Sequence, residues 1–345
     1  MKVITTVGSN LKSIDDVIKY IKGGTNIFRF NFSHINYEKS DLFISFLKSN
    51  YPEVSIIADL QGNKIRISSK LSSEFKILQG EKICFCLEES FNNFHTQGHI
   101  EKKKVIPVSF IGNFKYLTRG EIILLNDGNT RLRIDSIKDD GKIILSTVLE
   151  GGLIRAGKSI NIPSVNKSIP CLSSKDLNDL LWAAKKQVPI ITIPYVSKSE
   201  DIETVKKILS TYVEEGILEE LPLIWGKIET LVSDPSLRDI INVVDGVVIG
   251  RGDLTREVPL HLIPEYQNKI ILNCNKIHKP VVLSNSILTS MYSKKSPNIN
   301  EVNELYSYIN QNVYGVILCD EVTTGNYPLN TLRFLKAFIS YYKQE

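Results

Sequence analysis

Three residues carry the strongest chemical signal in this chain. Lys227 and Glu229 stand two positions apart in Gly226-Lys227-Ile228-Glu229, and Asp253 follows in Arg251-Gly252-Asp253-Leu254. Each motif begins where an apolar run stops: residues 221–225 (Leu-Pro-Leu-Ile-Trp) before the first, Val247-Val248-Ile249 before the second. Short apolar runs of this kind read as buried parallel strands. Two carboxylates and a lysine at the carboxyl ends of neighbouring strands occupy the face that carries the chemistry of a parallel α/β barrel. Two carboxylates there can hold Mg²⁺ or Mn²⁺ and leave ligand positions for a substrate. The ammonium beside them can neutralise charge on a transferring group. Solvated loop acids and a surface lysine look the same one at a time; the shared strand-end register separates the chemical reading from that one.

The elements that must position these residues alternate along the chain. Val3–Val7 is predicted as a strand, Ile14–Ile21 as a helix ended by Gly23 and Gly24, Asn26–Phe32 as a second strand, Tyr37–Ser49 as a helix, and Val54–Ala58 as a third strand ending at Asp59. From about Ser68 to Val165 the pattern predicts no long amphipathic helix. Short runs at Lys82–Leu87, Glu121–Leu125, Arg131–Ile134 and Lys142–Ser146 lie between Gly and Asn/Asp turns, which predicts a small all-β module. Alternation then resumes. Helices are predicted over Lys175–Lys186, Glu200–Leu209, Ser236–Val243, Glu265–Ile277, Asn300–Gln311 and Pro328–Tyr342. Strands are predicted over Val188–Tyr195, Leu221–Trp225, Gly246–Ile249, Pro280–Ser284 and Tyr314–Leu318. Eight strands, each followed by a helix, are the closure number of a (β/α)8 TIM barrel. The expected fold is therefore α/β: a barrel over residues 1–67 and 167–345, with an all-β lid domain over residues 68–166 inserted after strand 3.

Composition narrows the partners. The 345 residues are 42% hydrophobic and 23% charged, an ordinary globular balance. Forty-two basic against 38 acidic residues, net +4, is too even to predict nucleic-acid binding. No apolar segment approaches the roughly 20 residues of a membrane span, and the amino terminus enters a strand-like run without the features of a signal peptide. The five cysteines, Cys84, Cys86, Cys171, Cys274 and Cys319, include no CxxC pair, which fits buried thiols in a reduced cytoplasm better than disulfides or a metal site.

A series of motifs in order along the chain makes the reading specific. They are Arg29-Phe30-Asn31-Phe32-Ser33-His34, the segment from Ala58-Asp59-Leu60-Gln61-Gly62 through Lys64-Ile65-Arg66, Asn126-Asp127-Gly128, and Lys158-Ser159-Ile160-Asn161. Gly226-Lys227-Ile228-Glu229, Arg251-Gly252-Asp253-Leu254 and Gly325-Asn326-Tyr327-Pro328 complete the series. Taken in register they resemble the pyruvate kinase family: its RxNFSH strand, strand-three motif, lid turn and lysine, KIE and RGDL segments, and GxYP before the last helix. The resemblance covers barrel and lid only; the family's C-terminal domain has no counterpart in this sequence. It implies phosphoryl transfer between phosphoenolpyruvate and ADP through a metal-bound enolate, with phosphoenolpyruvate, pyruvate, ADP and ATP as small-molecule partners, and it leaves a homo-oligomer open. It implies Lys227, Arg29 and Asn285 as catalytic, Glu229 and Asp253 as ligands of Mg²⁺ or Mn²⁺, and Gly252, Asp253 and Asn285 as substrate-binding. It further implies that Arg29, Arg66, Asp127 and Lys158 meet the nucleotide.

The strand-three motif resembles the DLQGPKIR form of the potassium-independent branch. An ammonium at Lys64 would then fill the region that Asn31, Ser33 and Asp59 otherwise shape for K⁺, so K⁺ is expected not to be required. Several positions depart from the family pattern. Asn126 replaces one acid of the lid turn, Pro194-Tyr195 replaces SF, Asn285 stands where the family has a threonine, Thr255 replaces the glycine of RGDLG, and Cys319-Asp320-Glu321-Val322 replaces SGET. Ser296–Glu301 lacks an arginine cluster. These changes keep two further readings open: a relative that uses the same core on another 2-oxo or enol acid, as phosphotransferase or lyase, and a non-catalytic ligand-binding homologue.

Overall fold

The computed structural model describes residues 1–63, 65–96, 104–110, 112–162 and 172–342, with the backbone alone for residues 93–96, 127, 256 and 257. The chain divides into two compact units, Met1–Gly62 with Ser174–Glu345, and Asn63–Ser173. The first unit opens with strands β1 (Lys2–Thr6), β2 (Ile27–Asn31) and β3 (Ser55–Asp59).

The described residues of the second unit form nine strands: β4 (Arg66–Ile67), β5 (Phe75–Ile77), β6 (Lys82–Leu87), β7 (Lys104–Ser109), β8 (Ile122–Leu125), β9 (Thr130–Lys138), β10 (Ile143–Glu150), β11 (Gly152–Ile154) and β12 (Ile160–Asn161). Seven form one mixed sheet in the order β12-β8-β9-β10-β6-β7-β4, and β11 pairs with β5. Along β10 every second residue is buried, the alternation of a sheet with one face in a core. That core, which includes Phe85, Ile106, Leu132 and Ile144, belongs to this unit. The unit also contains a nine-residue helix, Glu88–Thr96, beyond the purely β module expected from the sequence.

The first unit then resumes with β13 (Ile190–Ile193), β14 (Leu223–Ile228), β15 (Gly246–Gly250), β16 (Val281–Ser284) and β17 (Gly315–Leu318). Together with β1 to β3 these close an eight-stranded barrel in the order β1-β17-β16-β15-β14-β13-β3-β2, parallel throughout. The helices Ile14–Gly23, Tyr37–Asn50, Ser174–Lys185, Ser199–Glu214, Asp234–Val243, Ile263–Lys276, Ile299–Asn310 and Pro328–Tyr342 alternate with the strands. This is the (β/α)8 fold expected from the sequence, interrupted once between the third and fourth barrel strands. Local chemistry sets the helix starts. Asn298 Oδ1 accepts from the Glu301 amide at 3.0 Å while the Glu301 carboxylate accepts from the Asn298 amide at 3.0 Å, a reciprocal capping box.

Each strand sends one residue into a shared apolar layer inside the barrel: Ile4, Ile27, Ile57, Ile190, Trp225, Val248, Val282 and Ile317. These large, mostly β-branched side chains fill the interior. Gly246 gives Trp225 its room, since a Cβ there would lie 2.7 Å from Nε1 and 2.8 Å from Cδ1 of the indole. Gly246→Ala should therefore cost about 1–3 kcal/mol of stability through overpacking. The denaturant midpoint measures it; an unchanged midpoint would mean that the indole moves aside freely.

One boundary changes how the site is built. The sequence expectation ended the fifth barrel strand at Trp225, but β14 runs to Ile228. Lys227 is thus a strand residue, with its orientation set by the pleat.

Candidate active site

Side chains on a strand alternate between faces, so the residue two places beyond each member of the apolar layer points inward again, one step nearer the carboxyl end. The eight positions are Thr6, Arg29, Asp59, Thr192, Lys227, Gly250, Ser284 and Cys319. The barrel is apolar one layer down and polar at its mouth. Five of these mouth residues, Thr6, Arg29, Asp59, Thr192 and Lys227, bond to one another. Arg29 donates through both Nε and Nη2 to Asp59 Oδ2, the first at 2.7 Å, and through Nη1 to Thr6 Oγ1 at 2.9 Å. Thr192 donates to Asp59 Oδ1. Lys227 Nζ lies 3.2 Å from Asp59 Oδ1 and 3.1 Å from Glu229 Oε1.

Asp59 is the centre of this row. It is 2% exposed, and such a group would ordinarily take up a proton. Burial does push its carboxyl up, but Arg29, Lys227 and the Thr192 hydroxyl outweigh it and hold the pKa at about 2, against an ordinary 3.8. Burial likewise opposes the charge on Lys227, yet Asp59 and Glu229 raise its pKa above the ordinary value. Arg29 shows the same balance: burial opposes its charge and the Asp59 carboxylate more than restores it. Lys227 therefore stays an ammonium at neutral pH, suited to electrostatic stabilisation rather than proton transfer.

This geometry has a consequence for acid stability. The folded pKa of Asp59 lies below its ordinary 3.8, so its contribution is complete above that value and disappears as the pH falls through about 2. The shift corresponds to on the order of 2 kcal/mol. Asp59→Asn should thus destabilise most near neutrality, with the difference from the parent protein shrinking as the pH drops from about 4 to 2. Denaturation at a series of pH values measures this, and a difference independent of pH across that window would contradict it.

Glu229 lies one residue beyond β14 and is 4% exposed. Its Oε2 accepts from the Tyr195 amide at 3.1 Å. A Cβ at Gly250 would fall 2.5 Å from Glu229 Cγ, so only glycine at that mouth position leaves room for the carboxylate. The helix Arg251–Glu257 starts immediately after Gly250, with Asp253 in its first turn. Register pairs Ile228 with Ile249, which sets Glu229 across from Gly250 and brings the two carboxylate-bearing segments side by side. Among the described residues no three His, Cys, Asp or Glu side chains are grouped to hold a metal by themselves. An all-oxygen pair, Glu229 with Asp253, is the donor set for a hard cation whose remaining ligands come from substrate and water, so these residues fit Mg²⁺ or Mn²⁺.

Asn285 follows β16 in left-handed backbone, φ 69°, and its side chain packs on Gly252. Arg251 pins this loop. Its guanidinium donates to the carbonyls of Asn285 (3.1 Å from Nε) and Ser286 (2.8 Å), and pairs with Glu304 at 2.5 Å. Two departures from the family pattern prove local. Thr255 is exposed and its hydroxyl returns to the Gly252 carbonyl at 3.2 Å. Pro194 packs against Gly62, where a Cβ would lie 2.5 Å from the ring, and the amide of the next residue, Tyr195, is the one that reaches Glu229.

In the region implied for a monovalent cation, register pairs Asn31 with Asp59, and Asn31 Oδ1 accepts from the Ser33 amide at 3.1 Å. Lys64 lies outside the described residues. Arg66 and Lys158 belong to the second unit. The Ile67 amide donates to the Lys158 carbonyl at 2.8 Å, and Arg66 Nη1 donates to the Gly157 carbonyl at 3.1 Å, so their segments lie side by side. Pairing of Ile160 with Leu125 brings the turn Asn126–Gly128, which contains Asp127, to the same end. Asn126 donates to Thr130 Oγ1 at 3.0 Å and to the Leu153 carbonyl at 2.8 Å. A carboxylate cannot make these bonds, which accounts for asparagine in place of an acid.

Thr6 and Thr192 join the site without having been singled out for it, and Cys319, noted above only as a departure from the family pattern, joins them. The signal was present in the sequence as the position two beyond each apolar-layer residue, but that layer is identified only once the barrel closes.

Comparison with known proteins agrees with this architecture. A family model for the pyruvate kinase barrel domain matches residues 1–332. The chain is 29% identical to the pyruvate kinase of Clostridium acetobutylicum over 336 residues, covering 96% of this chain and 68% of that protein. It is 27% identical to the pyruvate kinase of Geobacillus stearothermophilus, covering 96% of this chain and 55% of that one. It is 28% identical to the pyruvate kinase of Thermococcus litoralis, covering 97% and 68% respectively. The chain thus spans about half to two thirds of the length of these curated relatives. With the family model matching nearly the whole chain, and the closed barrel that it describes present, this protein belongs to the pyruvate kinase family.

Proposed function

We propose that the chain transfers a phosphoryl group between phosphoenolpyruvate and ADP. The observation that carries this reading is the ion-paired row Arg29–Asp59–Lys227–Glu229 at the barrel mouth, with Asp253 beside it. In the reaction the bond from phosphorus to the enol oxygen breaks, a bond to the terminal ADP oxygen forms, and the released enolate takes a proton to become pyruvate. Negative charge moves through the site, and catalysis consists of holding it in place.

The residues divide the work. The hydrogen bonds of Arg29 to Asp59 and Thr6 use three of its five N–H groups, and the remaining two can grip the migrating phosphoryl. Lys227 supplies a fixed positive charge where the phosphoryl leaves and the enolate appears. Asp59 positions both cations. Backbone amides at Gly252 and Asp253 receive the substrate carboxylate, and Asn285 adds a neutral donor. Glu229 and Asp253 would hold a divalent cation, which would supply Lewis-acid neutralisation of substrate oxygens. Arg66, Asp127 and Lys158 are assigned to the nucleotide. Arg29 and Lys227 bring two positive charges against three from Asp59, Glu229 and Asp253, a net charge of −1 that disfavours an anionic substrate until the cation makes it +1.

A coupled assay with phosphoenolpyruvate, ADP and Mg²⁺ or Mn²⁺ tests this. Pyruvate should form only with the divalent cation, and at the same rate with and without K⁺. Strong activation by K⁺ would overturn the potassium-independent reading, and absence of pyruvate would overturn the substrate assignment. In that case the asparagine at 285 and the cysteine at 319 favour another 2-oxo or enol acid on the same core, which a thermal-shift panel of such acids with Mn²⁺ would identify.

A further inference from the structure

Two of the departures from the family pattern meet in the barrel mouth. Cys319 Sγ lies 3.0 Å from Asn285 Oδ1, and the thiol is the donor. Asn285 is held on two further sides. Its backbone carbonyl accepts from Arg251 Nε at 3.1 Å. Its Nδ2 lies over Gly252, where any Cβ would overlap it. Left-handed backbone at Asn285 and Ser286, φ 69° and 53°, turns the chain so that the amide spans the ends of β15 and β17. Asparagine tolerates that backbone conformation better than the β-branched threonine it replaces.

The two ends of an amide are chemically opposite, so a donor at Oδ1 decides which way the group points. The thiol offers a donor, and sulfur is a weak acceptor for the alternative orientation. With Oδ1 turned to Cys319, both N–H groups of Asn285 are left on the side of Gly252. We propose that Cys319 is a positioning residue that fixes the Asn285 amide, so that the pair presents two neutral N–H donors to the substrate. A threonine hydroxyl offers one proton and can rotate to accept instead; a fixed amide can only donate there. The pocket would therefore favour a substrate whose facing atom only accepts, a carboxylate or enolate oxygen, over one that carries a hydroxyl. This specificity rests on the reading of the pocket as a site for 2-oxo or enol acids; the orientation of the amide does not.

Two measurements on the full chain separate those claims. The first follows the Asn285 side-chain amide by ¹H–¹⁵N correlation, with the signals assigned by their loss in Asn285→Ala. Cys319→Ala should shift both amide protons, and Cys319→Ser, which keeps a donor, should leave them near their original positions. Signals unmoved by Cys319→Ala would overturn the proposal. The second measures binding of oxalate, a planar acceptor-only dianion, with Mg²⁺ by calorimetry. Cys319→Ala should weaken it by about tenfold, the scale of one oriented hydrogen bond, while Cys319→Ser retains it and Cys319→Ala has no added effect on top of Asn285→Ala. Equal losses in both backgrounds would show that Cys319 acts independently of Asn285 and would overturn the pair. If the parent protein binds no oxalate with Mg²⁺, the acid-site reading fails, and the amide signals alone decide the positioning role.

Discussion

Lys227→Met should lower the turnover of phosphoenolpyruvate and ADP by on the order of 10³-fold, with a much smaller change in KM. The length and apolar stem of the side chain are kept and only the charge is lost. That charge lies 3.1 Å from Glu229 and 3.2 Å from Asp59, in a mouth where Lys227 is only 12% exposed. Removing one preorganised donor from a site of this kind costs about 3–4 kcal/mol in the transition state. The loss falls on kcat because the proposed role grows as charge moves onto the enolate, after the substrate has bound. The fold should survive, since Asp59 keeps both Arg29 contacts and Glu229 keeps the Tyr195 amide. Steady-state kinetics of the two proteins measure it; a loss within about tenfold would remove Lys227 from the chemistry.

The second large effect concerns the cation. Glu229→Ala and Asp253→Ala should each weaken Mn²⁺ binding by about 100-fold or more, because each removes one of only two protein carboxylates in the proposed site. Lys227→Met should act in the opposite direction. It removes an ammonium that repels a divalent ion and competes for Glu229 Oε1, so Mn²⁺ should bind more tightly than in the parent protein. Paramagnetic relaxation or calorimetry reads all three. Unchanged affinity in both carboxylate variants would refute the metal assignment. Weaker binding in Lys227→Met would mean that the ammonium helps to shape the site rather than competing in it.

How much of this was legible before the chain was folded depends on the range of each interaction. The barrel was legible because its signals are local. Apolar runs such as Val247-Val248-Ile249 stand out from their neighbours, and the long helices carry their own starts and stops. The break in alternation after Asp59 likewise marked the inserted β module. Boundaries were less secure: β14 continues through Lys227 to Ile228, because a charged residue at a strand end looks like loop until an inward-facing partner accounts for it.

Consecutive residues alone named the chemical groups proposed for the site and put Lys227, Glu229 and Asp253 at strand ends. Lys227, Glu229 and Asp253 could be named as candidates because each follows an apolar run, and register along a strand is a property of consecutive residues; Arg29 and the region of Asp59 were named through the resemblance of their motifs. Which groups share a charge emerges only when the barrel closes. Arg29 and Asp59 are 30 residues apart, Thr192 and Asp59 133, and Lys227 and Asp59 168. No local pattern encodes that Asp59, first considered for a potassium region, holds two cations, or that Cys319 turns the amide of Asn285. Those contacts exist because closing eight strands into a ring brings their carboxyl ends within hydrogen-bonding distance. The partners in that ring follow strand order in space rather than position along the chain.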